Sequence, residues 1–235
     1  MKKLSIIIPA YNEAPTIREI LRRVMAVSFP LESEVVIVDD HSQDGTREIT
    51  ESMCSEFPGR TIRVLRNEKN RGKGLSIQRG LEVATGDVAV VQDADFEYDP
   101  AEIPKLLKPI LEGDFDAVYG SRFLGVARPS GMALPNFIAN KFLTWLTNLL
   151  YGCRLTDMET CYKVVRMDAL RAIKLNADRF DFEPEITTKL VKRRLRLLEM
   201  PISYSGRTSG EGKKIKARDF FIAVKVLFRN LRLPS

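Results

Sequence analysis

Residues 87–100 read DVAVVQDADFEYDP. The first five, Asp87 to Val91, are a short apolar run rich in β-branched residues, the composition of a buried strand. The run ends in Asp93, Asp95, Glu97 and Asp99, four acids at alternating positions. In extended backbone, alternate side chains share a face. Crowded carboxylates repel, so one of the pair is expected to titrate with a raised pKa, and something positive is expected beside them.

Outward from this stretch the pattern repeats. LSIIIP, EVVIVDD, TIRVLRN and FDAVYGS are likewise short β-branched runs. Amphipathic stretches separate them at 14–26, 45–57, 73–84 and 100–111. Strands alternating with helices predict an α/β fold with a mostly parallel, twisted sheet flanked by helices. On such sheets ligands bind at the carboxyl ends of the strands. PAYNE, DDHSQDGT, NRGKG, DADFE and GSR all fall at those ends, and together they predict one site.

From about Ser121 the alternation is lost. Residues 136–151 split at roughly 100° per residue into an apolar face (Ile138, Ala139, Phe142, Leu143, Trp145, Leu146, Leu149, Leu150) and a polar one (Asn136, Asn140, Lys141, Thr144, Thr147, Asn148). In 218–232, Phe220, Phe221, Val224, Leu227, Phe228 and Leu231 share a side flanked by Arg218, Lys225, Arg229 and Arg232.

Composition narrows the class. A length of 235 residues, 44% hydrophobic and 29% charged, suits one soluble globular domain. Three cysteines without CxxC spacing and one histidine argue against zinc and for a reducing cytoplasm. The amino-terminal apolar run of about five residues is too short for a signal peptide, and no window offers the ~20 apolar residues of a membrane span. The net charge of +6 is local: from Arg207 onward eight Lys/Arg face two acids, Glu211 and Asp219. That excess asks for an anionic partner: phosphate, lipid surface or nucleic acid.

Each motif has a plain alternative. A lone DxD is usually a solvated turn, but here it ends a buried strand on a rim with four other polar turns. Carboxylates so placed suit Mg²⁺ or Mn²⁺, which leaves positions free for substrate phosphates. GRTSGEGKK (206–214) is a solvated loop or a phosphate-binding one. NRGKG has neither dinucleotide nor P-loop spacing. His41 is read as a surface residue, and Cys153 and Cys161 as packing. Glu183 and Glu185 could face the cleft or simply begin a helix; Asp157 and Glu159 are similarly open.

The segments SIIIPAYNEAPTI, EVVIVDDHSQDGT, NRGKGLSIQRGLEVATGDVAVVQDAD, GSRF, DMETCYKVVR and PISYSGRTSGEGKK cover nearly the whole chain in order. In them the sequence resembles a family 2 glycosyltransferase of GT-A fold, of the dolichol-phosphate mannose synthase and polyprenyl-phosphate glycosyltransferase group. The resemblance implies a nucleotide-sugar-binding half, 1–122, and an acceptor-binding half, 123–235, within one continuous domain. It implies donor contacts from Pro9, Tyr11, Glu13, Ile37 and Asp39, with Asp93, Ala94 and Asp95 on the diphosphate. It implies metal ligation by Asp93, Asp95 and Glu97, where the family often has Gln at the last position. Arg122, Arg207 and Lys213 are implied for the acceptor phosphate, with Gly212 where the synthases commonly have Ser. Asp95 and Arg122 are the implied catalytic pair.

The implied reaction is inverting, metal-dependent transfer of mannose or glucose from a nucleotide diphosphate sugar to a polyprenyl or dolichyl phosphate. A phosphate monoester, with a second pKa of about 6, is already anionic near neutrality and needs no strong base. Relatives dock on membranes through helices beside the site. Peripheral attachment to the cytoplasmic membrane face is therefore expected, with a membrane protein as another candidate for the same helices and no nucleic-acid partner. Some relatives carry transmembrane helices after the catalytic domain; this sequence ends at Ser235 without one. Two alternatives stay open: transfer to a hydroxyl of a glycan, with Asp157 or Glu183 as base, and a non-catalytic nucleotide-sugar-binding membrane module.

Overall fold

A computed structural model describes residues 1–179, 181–207 and 217–232. The five β-branched runs are strands β1 (Lys3–Ala10), β2 (Glu32–Asp39), β3 (Thr61–Arg66), β4 (Val88–Val91) and β5 (Ala117–Ser121). Helices α1 (Ile17–Ala26), α2 (Thr46–Cys54), α3 (Lys73–Val83) and α4 (Ile103–Leu111) connect them, the last preceded by a 3₁₀ turn at Pro100–Glu102. Period two does the sorting. Ile6, Ile8, Ile37, Val88 and Val90 join one core with α1 and α4, while Ile7, Val36, Val38, Ala89 and Val91 join another on the opposite face. Burial on both faces explains why these strands are apolar throughout.

The second half holds more regular structure than its sequence suggested. It adds β6 (Lys163–Arg166) and β7 (Leu197–Pro201), with α5 (Leu134–Tyr151), α6 (Met167–Arg171), α7 (Phe182–Lys192) and α8 (Ala217–Arg232). The sheet order is β3-β2-β1-β4-β6-β5-β7. Strand β6 runs antiparallel to both β4 and β5, and β7 runs parallel to β5. Both extra strands are short, and β7 is a half-exposed edge, so neither leaves a long apolar run to read. One sheet thus runs through both halves of the chain.

Helix α5 departs most from expectation. Of its apolar face only Leu143 and Leu146 are buried, together with Thr144 and Thr147 from the face read as polar. The threonines are held by the backbone: Thr147 Oγ1 donates to Leu143 O at 2.8 Å, and Thr144 Oγ1 accepts from Met158 N at 3.0 Å. Ile138, Phe142, Trp145 and Leu149 remain exposed, Trp145 by 56%. In α8 the same division holds, with Leu227 in a core shared with α5 and with Phe221, Phe228 and Leu231 outside.

Candidate active site

The carboxyl ends of β1, β2, β4 and β5 open onto one cavity of about 1380 Å³. Its lining includes Pro9, Tyr11, Glu13, Asp93, Ala94, Asp95, Glu97, Arg122 and Arg207. Most residues implied by the resemblance therefore meet in one place. Two do not reach it: Ile37 is a fully buried core residue, and Asp39 is fully buried beside the rim. Asp39 accepts from Ser42 N at 3.2 Å and pairs with Arg66 at 3.6 Å. Lys213 and Gly212 lie outside the described residues.

The DAD turn is fixed by its neighbours. Thr16 Oγ1, just ahead of α1, donates to Ala94 O at 2.7 Å, and Asp95 Oδ1 accepts from Glu97 N at 2.9 Å. The positive charges expected here are Lys73, whose Nζ lies 2.6 Å from Asp93 Oδ1, and Arg207, whose Nη2 lies 2.6 Å from Asp95 Oδ2. Arg207 Nη2 also donates to both Glu13 oxygens at 3.1 Å.

These cations reverse the titration expected of crowded acids. Burial alone would raise the Asp93 pKa, but the Lys73 charge, hydrogen bonds from Cys161 and Lys73 and the Arg207 charge together outweigh it and hold the carboxyl below its ordinary range. Burial likewise opposes the Lys73 charge, and Asp93 overrides it, so the ammonium is held well above its usual value.

Glu97, expected as a third metal ligand, lines the same cavity and is hydrogen-bonded through both oxygens. Its Oε1 accepts from Arg207 N and its Oε2 from Tyr204 Oη, both at 3.0 Å. Among the described residues no three His, Cys, Asp or Glu side chains gather as a metal site. The DAD turn itself supplies two carboxylates, Asp93 and Asp95. That set fits Mg²⁺ or Mn²⁺, which use one or two protein carboxylates and complete their shell with phosphate oxygens and water.

Arg122, 6% exposed, is gripped by Asp157: Nε donates to Oδ2 at 2.7 Å and Nη2 to Oδ1 at 2.8 Å. Burial would lower its pKa, but the Asp157 charge raises it well above the ordinary value. The guanidinium sits 5.3 Å from the Tyr204 ring centroid. Glu183, the other base considered, pairs with Lys163 through Oε2.

Several contributors were not singled out in the sequence. Asp40 lines the cavity and holds the next loop, accepting from Asn67 Nδ2 and Gly72 N at 2.7 Å each and from Arg71 N at 2.9 Å. Lys73 follows in that loop, whose glycines have a packing reason. Gly72 has φ +99°, and a Cβ on Gly74 would lie 2.5 Å from Ala177 O. Cys161, read as packing, lines the cavity with its Sγ 3.0 Å from Lys73 Nζ. A polar residue directly after β2 was the available signal for Asp40, and the glycine-flanked start of α3 the signal for Lys73. Helices α5 and α8 add apolar lining, including Ile138, Phe142, Phe220 and Phe221.

The family model for glycosyl transferase family 2 matches residues 5–174. The dolichol-phosphate mannosyltransferase of Pyrococcus furiosus is 29% identical over 232 residues, covering 98% of this chain and 64% of that protein. The chain therefore spans a little under two thirds of that relative's length. The undecaprenyl-phosphate mannosyltransferase of Micrococcus luteus is 33% identical over 218 residues, covering 88% of this chain and 85% of its own. Among solved structures, glucosyl-3-phosphoglycerate synthase of Mycobacterium tuberculosis, in complex with Mn²⁺, uridine diphosphate and phosphoglyceric acid, superposes with a TM-score of 0.75 at 18% identity. It covers all of this chain and 80% of that one.

Proposed function

The chain belongs to glycosyl transferase family 2 and has its GT-A fold, and from that premise we propose that it transfers a hexose, mannose or glucose, from a nucleotide diphosphate sugar to a polyprenyl phosphate. One observation carries the proposal. A single cavity is lined both by carboxylates and guanidinium groups from the strand ends and by aromatic residues of α5 and α8. Such a cavity suits a substrate with a phosphate head and a hydrocarbon tail.

In this mechanism Pro9, Tyr11 and Glu13 hold the nucleotide, and Asp93 and Asp95 face the diphosphate. Those two aspartates would hold a divalent cation, and when bound it would supply neutralisation of the charge on the departing diphosphate. Arg122 and Arg207 place the acceptor phosphate in line with the anomeric carbon, and Lys213 is assigned to the same task. Asp157 keeps Arg122 oriented and charged. Residues 1–122 serve the donor and 123–235 the acceptor.

Transfer to a hydroxyl is less well supported, because Asp157 and Glu183 are both engaged with cations. Among the described residues no helix is long and apolar enough to cross a membrane. The exposed faces of α5 and α8, with Arg218 and Lys225 beside them, support peripheral docking on a cytoplasmic membrane face. The test is a donor panel of GDP-mannose, UDP-glucose and UDP-N-acetylglucosamine, with polyprenyl phosphate and Mg²⁺ or Mn²⁺. Sugar on lipid phosphate is the expected product; sugar on a hydroxyl, or no transfer with any donor, overturns the proposal.

A further inference from the structure

The segment from Leu155 to Cys161 leads into β6 and contributes Glu159 and Cys161 to the cavity lining. At one end Asp157 grips Arg122. At the other, Cys161 touches Lys73, which holds Asp93. Glu159 lies between these anchors and lines the cavity. If the function proposed above holds, Glu159 shares one cavity with the acceptor-phosphate and diphosphate residues that in-line transfer sets on either side of the sugar.

The Glu159 carboxyl is anomalous for its surroundings. Among the described residues it has no hydrogen bond or ion pair, and its Oε1 is enclosed without a partner. Glu183, 6% exposed and on the same cavity wall, gives Oε2 to Lys163 and leaves Oε1 likewise enclosed and unpartnered. The other carboxyls used above have partners: Glu13 and Asp95 have Arg207, Asp93 has Lys73, and Glu97 has Tyr204 and the Arg207 amide. An enclosed acceptor without a donor is costly to keep. A ligand rich in O–H donors removes the cost, whereas a phosphate, bearing only acceptors near neutrality, adds to it.

We propose that Glu159, backed by Glu183, recognises the transferred sugar: its carboxyl accepts a hydrogen bond from a ring hydroxyl and so selects which hexose is carried. Burial, and then the neighbouring Glu183 charge, push the Glu159 pKa up to about 7; Lys163 and Arg122 pull it down and Asp157 pushes it further up. A hydroxyl donor strengthens as this group ionises, so recognition sharpens above neutrality.

The experiment compares the wild type with Glu159→Gln, which is nearly isosteric, and Glu159→Ala. Calorimetric titration measures binding of UDP and GDP alone and of UDP-glucose and GDP-mannose. Transfer assays measure kcat/KM for the accepted donor and for its monodeoxy sugar analogues. Affinity for the bare nucleotide is expected to be the same in all three proteins. Removing one particular hydroxyl from the sugar is expected to cost the wild type about 10- to 100-fold, and Glu159→Ala less than about threefold.

Hydroxyl penalties in Glu159→Ala that match the wild type overturn the proposal. So does an equal loss of kcat for every donor with the penalties intact, the mark of a group that moves a proton instead. Should the wild type transfer nothing to polyprenyl phosphate, the proposed function fails while titration still decides this contact. A wild-type affinity gain from the sugar that Glu159→Ala abolishes supports it; an equal gain, or none in the wild type, overturns it.

Discussion

Asp157 holds Arg122 by three bonds, accepting from its backbone N at 2.9 Å as well as from Nε and Nη2. Both residues are buried, and the carboxylate is fully so. Removing one partner of a buried pair leaves the other uncompensated and costs about 3–5 kcal/mol. Asp157→Ala is therefore expected to lower Tm by on the order of 10 °C and to weaken transfer. If Asp157 served only as a proton acceptor, activity would fall with Tm unchanged. A thermal melt beside the transfer assay separates the two.

Asp95 is a rim residue with a 16% exposed side chain, so Asp95→Asn should retain the fold. Loss of a charged group facing the diphosphate is expected to reduce kcat by about 10²- to 10³-fold. Chelation should silence the wild type. Full turnover after either treatment would remove the aspartates from the metal role.

Glu159 gives stability a pH signature. Its folded pKa of about 7 exceeds the ordinary 4.5, so the native state binds the extra proton. Its contribution is fully present below about 4.5 and is lost as pH rises through about 7. In Glu159→Gln that part of the decline should vanish, a gain over the wild type on the order of 2 kcal/mol at pH 8. Denaturant titrations at pH 5 and 8 check this; parallel declines in both proteins would refute it.

Docking through α5 and α8 should show in flotation with vesicles containing anionic lipid, weakening as salt screens the basic flank. Trp145→Ser with Phe221→Ser, at side chains 56% and 69% exposed, should abolish flotation while nucleotide binding persists. Lys225→Glu should weaken it. If the doubly substituted protein floats as well as the wild type, these faces belong to a partner chain.

Gly74 tests the packing of the lysine loop. A Cβ there meets Ala177 O at 2.5 Å and Ala177 C at 2.9 Å, both backbone atoms that cannot rotate away. Gly74→Ala should cost about 1–3 kcal/mol and displace Lys73 from Asp93. Unchanged stability would mean that 177–179 yields freely.

The sequence alone determined strands β1 to β5 and the rim at their carboxyl ends. Buried parallel strands need continuous β-branched runs, and the polar turns after them have nowhere to lie but one rim, so Asp93, Asp95 and Arg122 could be placed from order and periodicity. Tertiary structure decided what periodicity does not encode. Whether an apolar helix face meets the core depends on what packs against it, and in α5 the partners took Leu143, Thr144, Leu146 and Thr147 and left Trp145 outside. Strand β6 is too short to read, yet its insertion between β4 and β5 carries Glu159 and Cys161 to the cavity wall and sets Asp157 behind Arg122. Ionisation followed the same division. Asp93 and Asp95 predict repulsion, but Lys73 and Arg207, distant in sequence, supply the charges that reverse it at Asp93, while at Glu159 burial and the Glu183 charge prevail over the pull of Lys163 and Arg122. Coulomb energy depends on separation in space and on burial, and only the folded chain fixes those.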